Sequence, residues 1–262
     1  MLLIANLSLA SKKDSLRIVK DISISWESKF SAEEKSRVER ILYSLGYHAQ
    51  ASLGKLPFPL KFYCRQKEMS QPLGGCVAKF GGPKRGVQVG FDMRYTDEQF
   101  IESWKIHHEI SHLHLPWLEK KHEWFYEGFA TYMSRQIMLD MGLFTKESLD
   151  KLNRKRIDEI RDSFDRDGTF LEVVTYHQDQ WNFSEYYWGG STYFYRANRA
   201  LEKKYDTNLK EIISKYQQRG RQTDKTLNDV LRSWDNILGK KLFTSLMHKY
   251  KTESARQVMA DV

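Results

Sequence analysis

The sequence predicts an α+β protein in which a small N-terminal sheet carrying one helix, residues 11–95, precedes an almost entirely helical part, residues 96–262. Two observations predict it. Alternating and short continuous apolar runs are confined to the first part, and apolar residues at helical spacing dominate the second. At 262 residues and 40% hydrophobic composition, the chain can bury one large core shared by both parts.

The elements follow in order. Met1 to Ala10 is apolar and closes on the small-x-small run Ser8-Leu9-Ala10. As the remnant of a secretory signal peptide, lacking the basic start, it implies a secreted or periplasmic protein. As an apolar first strand or frayed end, it leaves a cytoplasmic location open. Ile22, Ile24 and Trp26 alternate as a strand, and Ser31 with Glu34 forms a capping box for a helix striped by Val38, Ile41, Leu42 and Leu45 up to Gly46. Strands are expected near Leu60 to Arg65, Cys76 to Phe80 and Gly86 to Phe91, separated by Gly-Pro turns. Cys64 and Cys76 flank an expected hairpin turn, as one disulfide in an exported chain or as buried thiols otherwise.

Thr96, paired with Gln99, starts the next helix; Phe100, Ile101, Trp104 and Ile110 give it apolar surface, and Pro116 stops it after Leu115. The aromatic run Trp124 to Tyr132 predicts a buried helix, with Gly128 and Ala130 as its small packing residues. Amphipathic helices follow at Leu149, Leu152, Ile157 and Ile160, at Leu227, Val230, Leu231 and Trp234, and at Leu242, Phe243, Leu246 and Tyr250. Asp165 to Asp179 is the least regular stretch and is expected to be a loop near the cleft.

The chemistry is carried by His108-Glu109-x-x-His112. Residues four apart share a helix face, so both imidazoles can reach a single ion. A catalytic zinc takes three protein ligands and an open fourth position for water, and two histidines with one carboxylate is a recurrent set. Glu127 offers that carboxylate. Such an ion lowers the pKa of its water to about 7, and Glu109, one residue round, is placed to receive the proton. His107 and His114 are rotated off the ligand face. His122 and His177 line the cleft or, the more ordinary reading, are solvated loop histidines.

Trp124-x-x-Glu127-Gly128-Phe129-Ala130-x-Tyr132 after His-Glu-x-x-His resembles the gluzincin zinc metallopeptidases, particularly the aminopeptidase N and glycyl aminopeptidase types. The resemblance spans roughly residues 86–250 and is specific at its motifs. It implies a zincin-like catalytic core, Zn2+ as cofactor, His108, His112 and Glu127 as its ligands, Glu109 as general base and a peptide or protein substrate. Fourteen residues separate His112 from Glu127. That connection is shorter than those families have by roughly one helical turn, which keeps Glu127 on the same side. In those families a Tyr-x-Lys-Gly segment supplies a phenol to the oxyanion. Matching its glycine to Gly190 selects Tyr187, whereas matching to Gly189 selects Tyr186; the family's lysine is absent. The zincins' substrate-holding edge strand corresponds to Gly86–Phe91. Thr131 stands where thermolysin-like relatives carry a histidine-orienting aspartate.

No Gly-x-Met-Glu-Asn amine-binding segment precedes His108, and a β-sandwich does not fit into the first part, so aminopeptidase and endopeptidase action stay equally open. The rival reading is a non-catalytic zincin-like binding protein, against which the intact Glu109 speaks. A net charge of +8, from 42 basic and 34 acidic residues, is spread over helix faces without aromatic-basic interleaving, so no nucleic-acid partner is expected. No apolar run of about eighteen residues exists, and no integral membrane segment is expected.

Overall fold

The computed structural model describes residues 20–81, 85–219 and 224–260; the apolar Met1 to Ala10 segment lies outside them. The protein is α+β, with a four-stranded sheet followed by helices. Strands β1 (Ile22–Trp26), β2 (Leu60–Gln66), β3 (Leu73–Lys79) and β4 (Gly86–Phe91) are ordered β1-β2-β4-β3. The first three in space are parallel, with Ile22 opposite Leu60 and Cys64 opposite Val89. β3 is antiparallel to β4, with Ala78 opposite Val87 and a register shift between Gly74 and Val77.

This order corrects two expectations. β4, not β3, lies beside β2, so Cys64 and Cys76 do not face each other across a hairpin, and both are free thiols. The edge strand beside the following helix is β3 rather than Gly86–Phe91, the other edge being β1. The physical reason is burial: β4 is buried at five of its six positions, and such a strand belongs between neighbours, whereas the half-exposed β3 tolerates an edge.

Helix α1 (Ala32–Leu53) starts with the expected Ser31/Glu34 capping box but runs past Gly46 to Gly54. Gly46 is not a stop. A side chain there would press on Ile22 and Leu60, so the glycine lets the helix lie close on the sheet. The expected helix from Thr96 is two helices, α2 (Asp97–Glu102), with the Thr96/Gln99 box, and α3 (Trp104–His112). Ser103 is extended between them, and the Ile101 carbonyl is taken by the His107 ring at 2.8 Å.

After a 3-10 turn at Lys120–His122 come α4 (Glu123–Asp140), α5 (Lys146–Arg161), α6 (Phe170–Asp179) and α7 (Phe183–Tyr205). The chain ends, among the described residues, in α8 (Leu209–Arg219), α9 (Leu227–Leu238), α10 (Phe243–Thr252) and α11 (Ala255–Ala260). α6 corrects the loop expected over Asp165 to Asp179: Thr169 and Glu172 cap it reciprocally, and Phe170, Val173 and Val174 bury its inner face. One continuous apolar cluster joins sheet and helices. α4 and α7 cross at Gly128 and Gly190, where a Cβ on either would overlap the other helix's backbone. Among the described residues no helix is long and apolar enough to cross a membrane.

Candidate metal centre

α3 lies against the edge strand β3 on one side and α4 on the other, so its ligand face looks into the space between sheet and helices. His108 and His112 present their Nε2 atoms to the same Glu127 oxygen, at 2.9 and 3.4 Å. Their three donor atoms lie within 4.8 Å of one another. Tetrahedral ligands about 2.0–2.1 Å from a zinc stand roughly 3.3 Å apart, close to the separations of the Glu127 oxygen from the two imidazole nitrogens, so the cluster could hold a small divalent cation. Both imidazoles are nearly sealed from solvent and Glu127 is 14% exposed. Burial alone raises the Glu127 carboxyl, but the His112 and His108 imidazoles outweigh it and hold it well below the usual carboxylate range. The triad therefore offers an ionised carboxylate and two nitrogens, a set able to hold a metal ion.

Glu109 points to the other side of this group. Its carboxylate accepts the backbone N–H of Ala78 on β3 at 2.7 Å. Burial pushes its pKa up to about 7, with the Glu127 carboxylate adding and the His108 ring and Ala78 N–H opposing. A carboxylate in that range can take and return a proton near neutral pH. Glu109, His112, Glu127 and Tyr187 line one cleft of about 490 Å³, bounded by Ala78, Phe80 and Tyr126, a size suited to a ligand of a few residues.

The chain matches no family model and no curated protein sequence.

Tyr187 stacks on His108, with ring centroids 5.4 Å apart and planes 11° from parallel. Burial, with the nearby Glu127 carboxylate, pushes its phenol well up and keeps it protonated. Tyr186 is 1% exposed, packs on Phe183 and does not line the cleft. Of the two candidate phenols, only Tyr187 reaches the cavity. The glycines after it serve packing: Gly189 sits against the Phe164 ring and Gly190 against Trp124 and Gly128.

The other histidines divide. His107 and His114 are off the ligand cluster, as expected. The first bonds the Ile101 carbonyl, and the second the Ile110 and Gly54 carbonyls. His177 is not a solvated loop residue but a buried α6 side chain, bonded to the Ser163 carbonyl at 3.0 Å and to Asn182 at 3.1 Å. His122 lines the cleft, half-buried, which lowers its pKa. Thr131, one turn beyond Glu127, has a buried hydroxyl with no hydrogen-bond partner, and the Nδ1 atoms of His108 and His112 are likewise unpartnered.

Cys76 also lines the cleft, but burial pushes its thiol up to about 12, so it is a poor nucleophile. Sequence reasoning missed Tyr126, which stacks on His112 at 4.2 Å, and Phe80 and Trp117, which complete an aromatic wall with it. Adjacency to Glu127 was the available signal for Tyr126. Nothing local marked Phe80 or Trp117.

Proposed function

We propose that this protein is a zinc-dependent peptidase with a gluzincin-like zincin core, in which His108, His112 and Glu127 hold the ion. The observation that carries the reading is the pairing of that triad with Glu109, held in the same cleft by the Ala78 N–H of a sheet edge. A structural metal site needs no buried, proton-accepting carboxylate beside it. Bound zinc would polarise a carbonyl and bring the pKa of water to about 7.

The chain's own groups do the rest. Glu109 takes the proton of the attacking water and returns it to the departing amine. Tyr187 donates from a neutral phenol to the oxygen on which charge develops. β3 is the sheet edge beside α3, so an extended peptide can pair with its main-chain groups other than the Ala78 N–H, which Glu109 holds, and lie across the cleft. This role passes to β3 from the strand Gly86–Phe91, which is internal.

The test combines composition with turnover. Elemental analysis is expected to find one zinc per chain in the wild type and none in His112→Ala. Glu109→Gln is expected to keep the zinc and lose on the order of 10²–10⁴-fold in kcat on cleavable peptides. Undiminished hydrolysis in Glu109→Gln overturns the mechanism. A wild type that takes up no zinc when it is supplied overturns the metal site, and with it the enzyme.

A further inference from the structure

The apolar surface that this fold leaves in water gathers at one place. Among the described residues the exposed large hydrophobic side chains are Val77, Trp104, Trp117, Tyr176, Trp181 and Phe183. Three of these six, Val77, Trp117 and Trp181, line the cleft, and Phe183 packs on Trp181 at 6.0 Å. Single exposed apolar residues are ordinary, but a cluster around a concave site marks a surface that is covered when a ligand arrives.

One wall is built from three rings in mutual contact. Phe80 lies 5.3 Å from Trp117 and 5.2 Å from Tyr126, and Trp117 lies 5.9 Å from Tyr126, all centroid to centroid. The wall ends on the triad itself, since Tyr126 stacks on His112 and Phe80 meets the same imidazole edge-on at 6.5 Å. Trp117 is its outer ring and is 63% exposed.

The position of the wall follows from the strand. Phe80 continues the alternation of β3 two residues beyond Ala78, about 6.6 Å farther along, and Ala78 is where the backbone meets Glu109. A peptide laid along this edge with its reacting bond at Glu109 brings a neighbouring side chain onto the rings. The charges at the rim are largely engaged: Glu119 pairs with Lys121 at 2.7 Å, and the Lys120 ammonium lies over the Trp181 ring. Glu123 also lines the cleft, its carboxyl pushed up by burial and by Glu127, and the largest surface left in water there is aromatic.

We infer that Phe80, Trp117 and Tyr126 form a slot for a bulky apolar or aromatic side chain next to the scissile bond, with Trp117 as the specificity-determining residue. The inference rests on the peptidase reading for its substrate, while the slot itself is testable without turnover.

Binding is measured first, by calorimetry on zinc-loaded Glu109→Gln. The probes are blocked short peptides that differ at one position, Phe, Leu, Gly, Asp or Lys, placed in turn on either side of the central bond. The Phe and Leu peptides are expected to bind at least about tenfold more tightly than the Gly and Asp peptides. Adding Trp117→Ala is expected to abolish that margin, and Trp117→Phe to retain most of it. Cleavage of the same peptides by wild type is then expected to follow the same order, with Trp117→Ala acting on KM more than on kcat.

Equal binding of all five peptides, a preference for Lys or Asp, or an unchanged margin in Trp117→Ala overturns the slot. Cleavage without side-chain preference overturns the slot and leaves the peptidase standing. Selective binding of the Phe peptide with no cleavage of any peptide by wild type overturns the peptidase and leaves the slot.

Discussion

The metal triad stands between two walls built on opposite principles. Behind it, α4 and α7 meet through Gly128 and Gly190 with no room for a methyl group, and Phe125, Phe129, Phe194 and Trp234 fill the space around them with no exposure. In front, Phe80, Trp117 and Tyr126 stand along the open side of the cleft, with Val77 and Trp181 in water. The rear wall fixes where Glu127 and Tyr187 are, because each is carried on one of the two crossing helices. The front wall meets the triad only at its inner ring, where Tyr126 stacks on His112 and donates to its carbonyl, while Trp117 faces the open cleft. The closely packed surface and the open one thus lie on different sides of the same three residues, the division that the proposed function would use for rigidity and recognition.

This contrast predicts a graded response to substitution. The largest effect belongs to the rear: Gly190→Ala puts a methyl group into the Trp124 carbonyl, and overpacking of backbone against backbone is expected to cost about 3 kcal/mol. In a chain of this size that lowers Tm by roughly 6–12 °C in a thermal melt. A melt unchanged by Gly190→Ala would mean that the two helices separate easily and that the rear wall is not the rigid one.

An intermediate effect belongs to the footing of the front wall. Asp92, just after β4, accepts the Met69 N–H at 2.6 Å, from the connection that leads into β3, and holds the Arg94 guanidinium. The Arg94 guanidinium, opposed by desolvation and helped by the Met69 and Arg94 N–H groups, holds this carboxyl well below the usual range. A lowered folded pKa contributes stability that is fully present above the ordinary aspartate pKa of about 3.9 and is lost as pH falls through the lower folded value. Denaturant unfolding between pH 5 and pH 2 is therefore expected to show a steeper loss in wild type than in Asp92→Asn, which starts less stable. Parallel curves would remove Asp92 from the account of how β3 is held.

The smallest effect on stability belongs to the front wall. Trp117→Ala is expected to change unfolding free energy by no more than about 0.5 kcal/mol, since the ring is mostly in water. A loss several times larger would show that Trp117 is structural and blur the division between the walls.

The two walls also differ in how far they could be read from the sequence. The rear wall is local: the aromatic run Trp124 to Tyr132 with Gly128 at its centre marks a helix packed tightly on something, and the Ser31/Glu34 and Thr96/Gln99 capping boxes place helix starts where they occur. The triad is legible for the same reason, since His108 and His112 lie one turn apart on one helix. The front wall depends on strand order, and no local pattern states that β4 inserts between β2 and β3. Reading β2 and β3 as a hairpin moved the edge to the wrong strand and hid Phe80. α6 was legible and overlooked, because Thr169 and Glu172 form the same capping signature used elsewhere, but Gly168 and the surrounding acidic residues masked it. The break at Ser103 carried no signal; beyond it α3 packs against both β3 and α4.

The contact between Glu109 and Ala78 has a consequence for how this protein behaves among copies of itself. The outer margin of a sheet is a template on which other chains can crystallise into ribbons, and β3 has few charges to repel them. By occupying the main-chain donor of Ala78, next to last in that strand, a buried carboxylate takes one position from the row on which a second molecule would zip. The residue proposed to handle protons would by the same contact leave one fewer donor for a second copy to pair with.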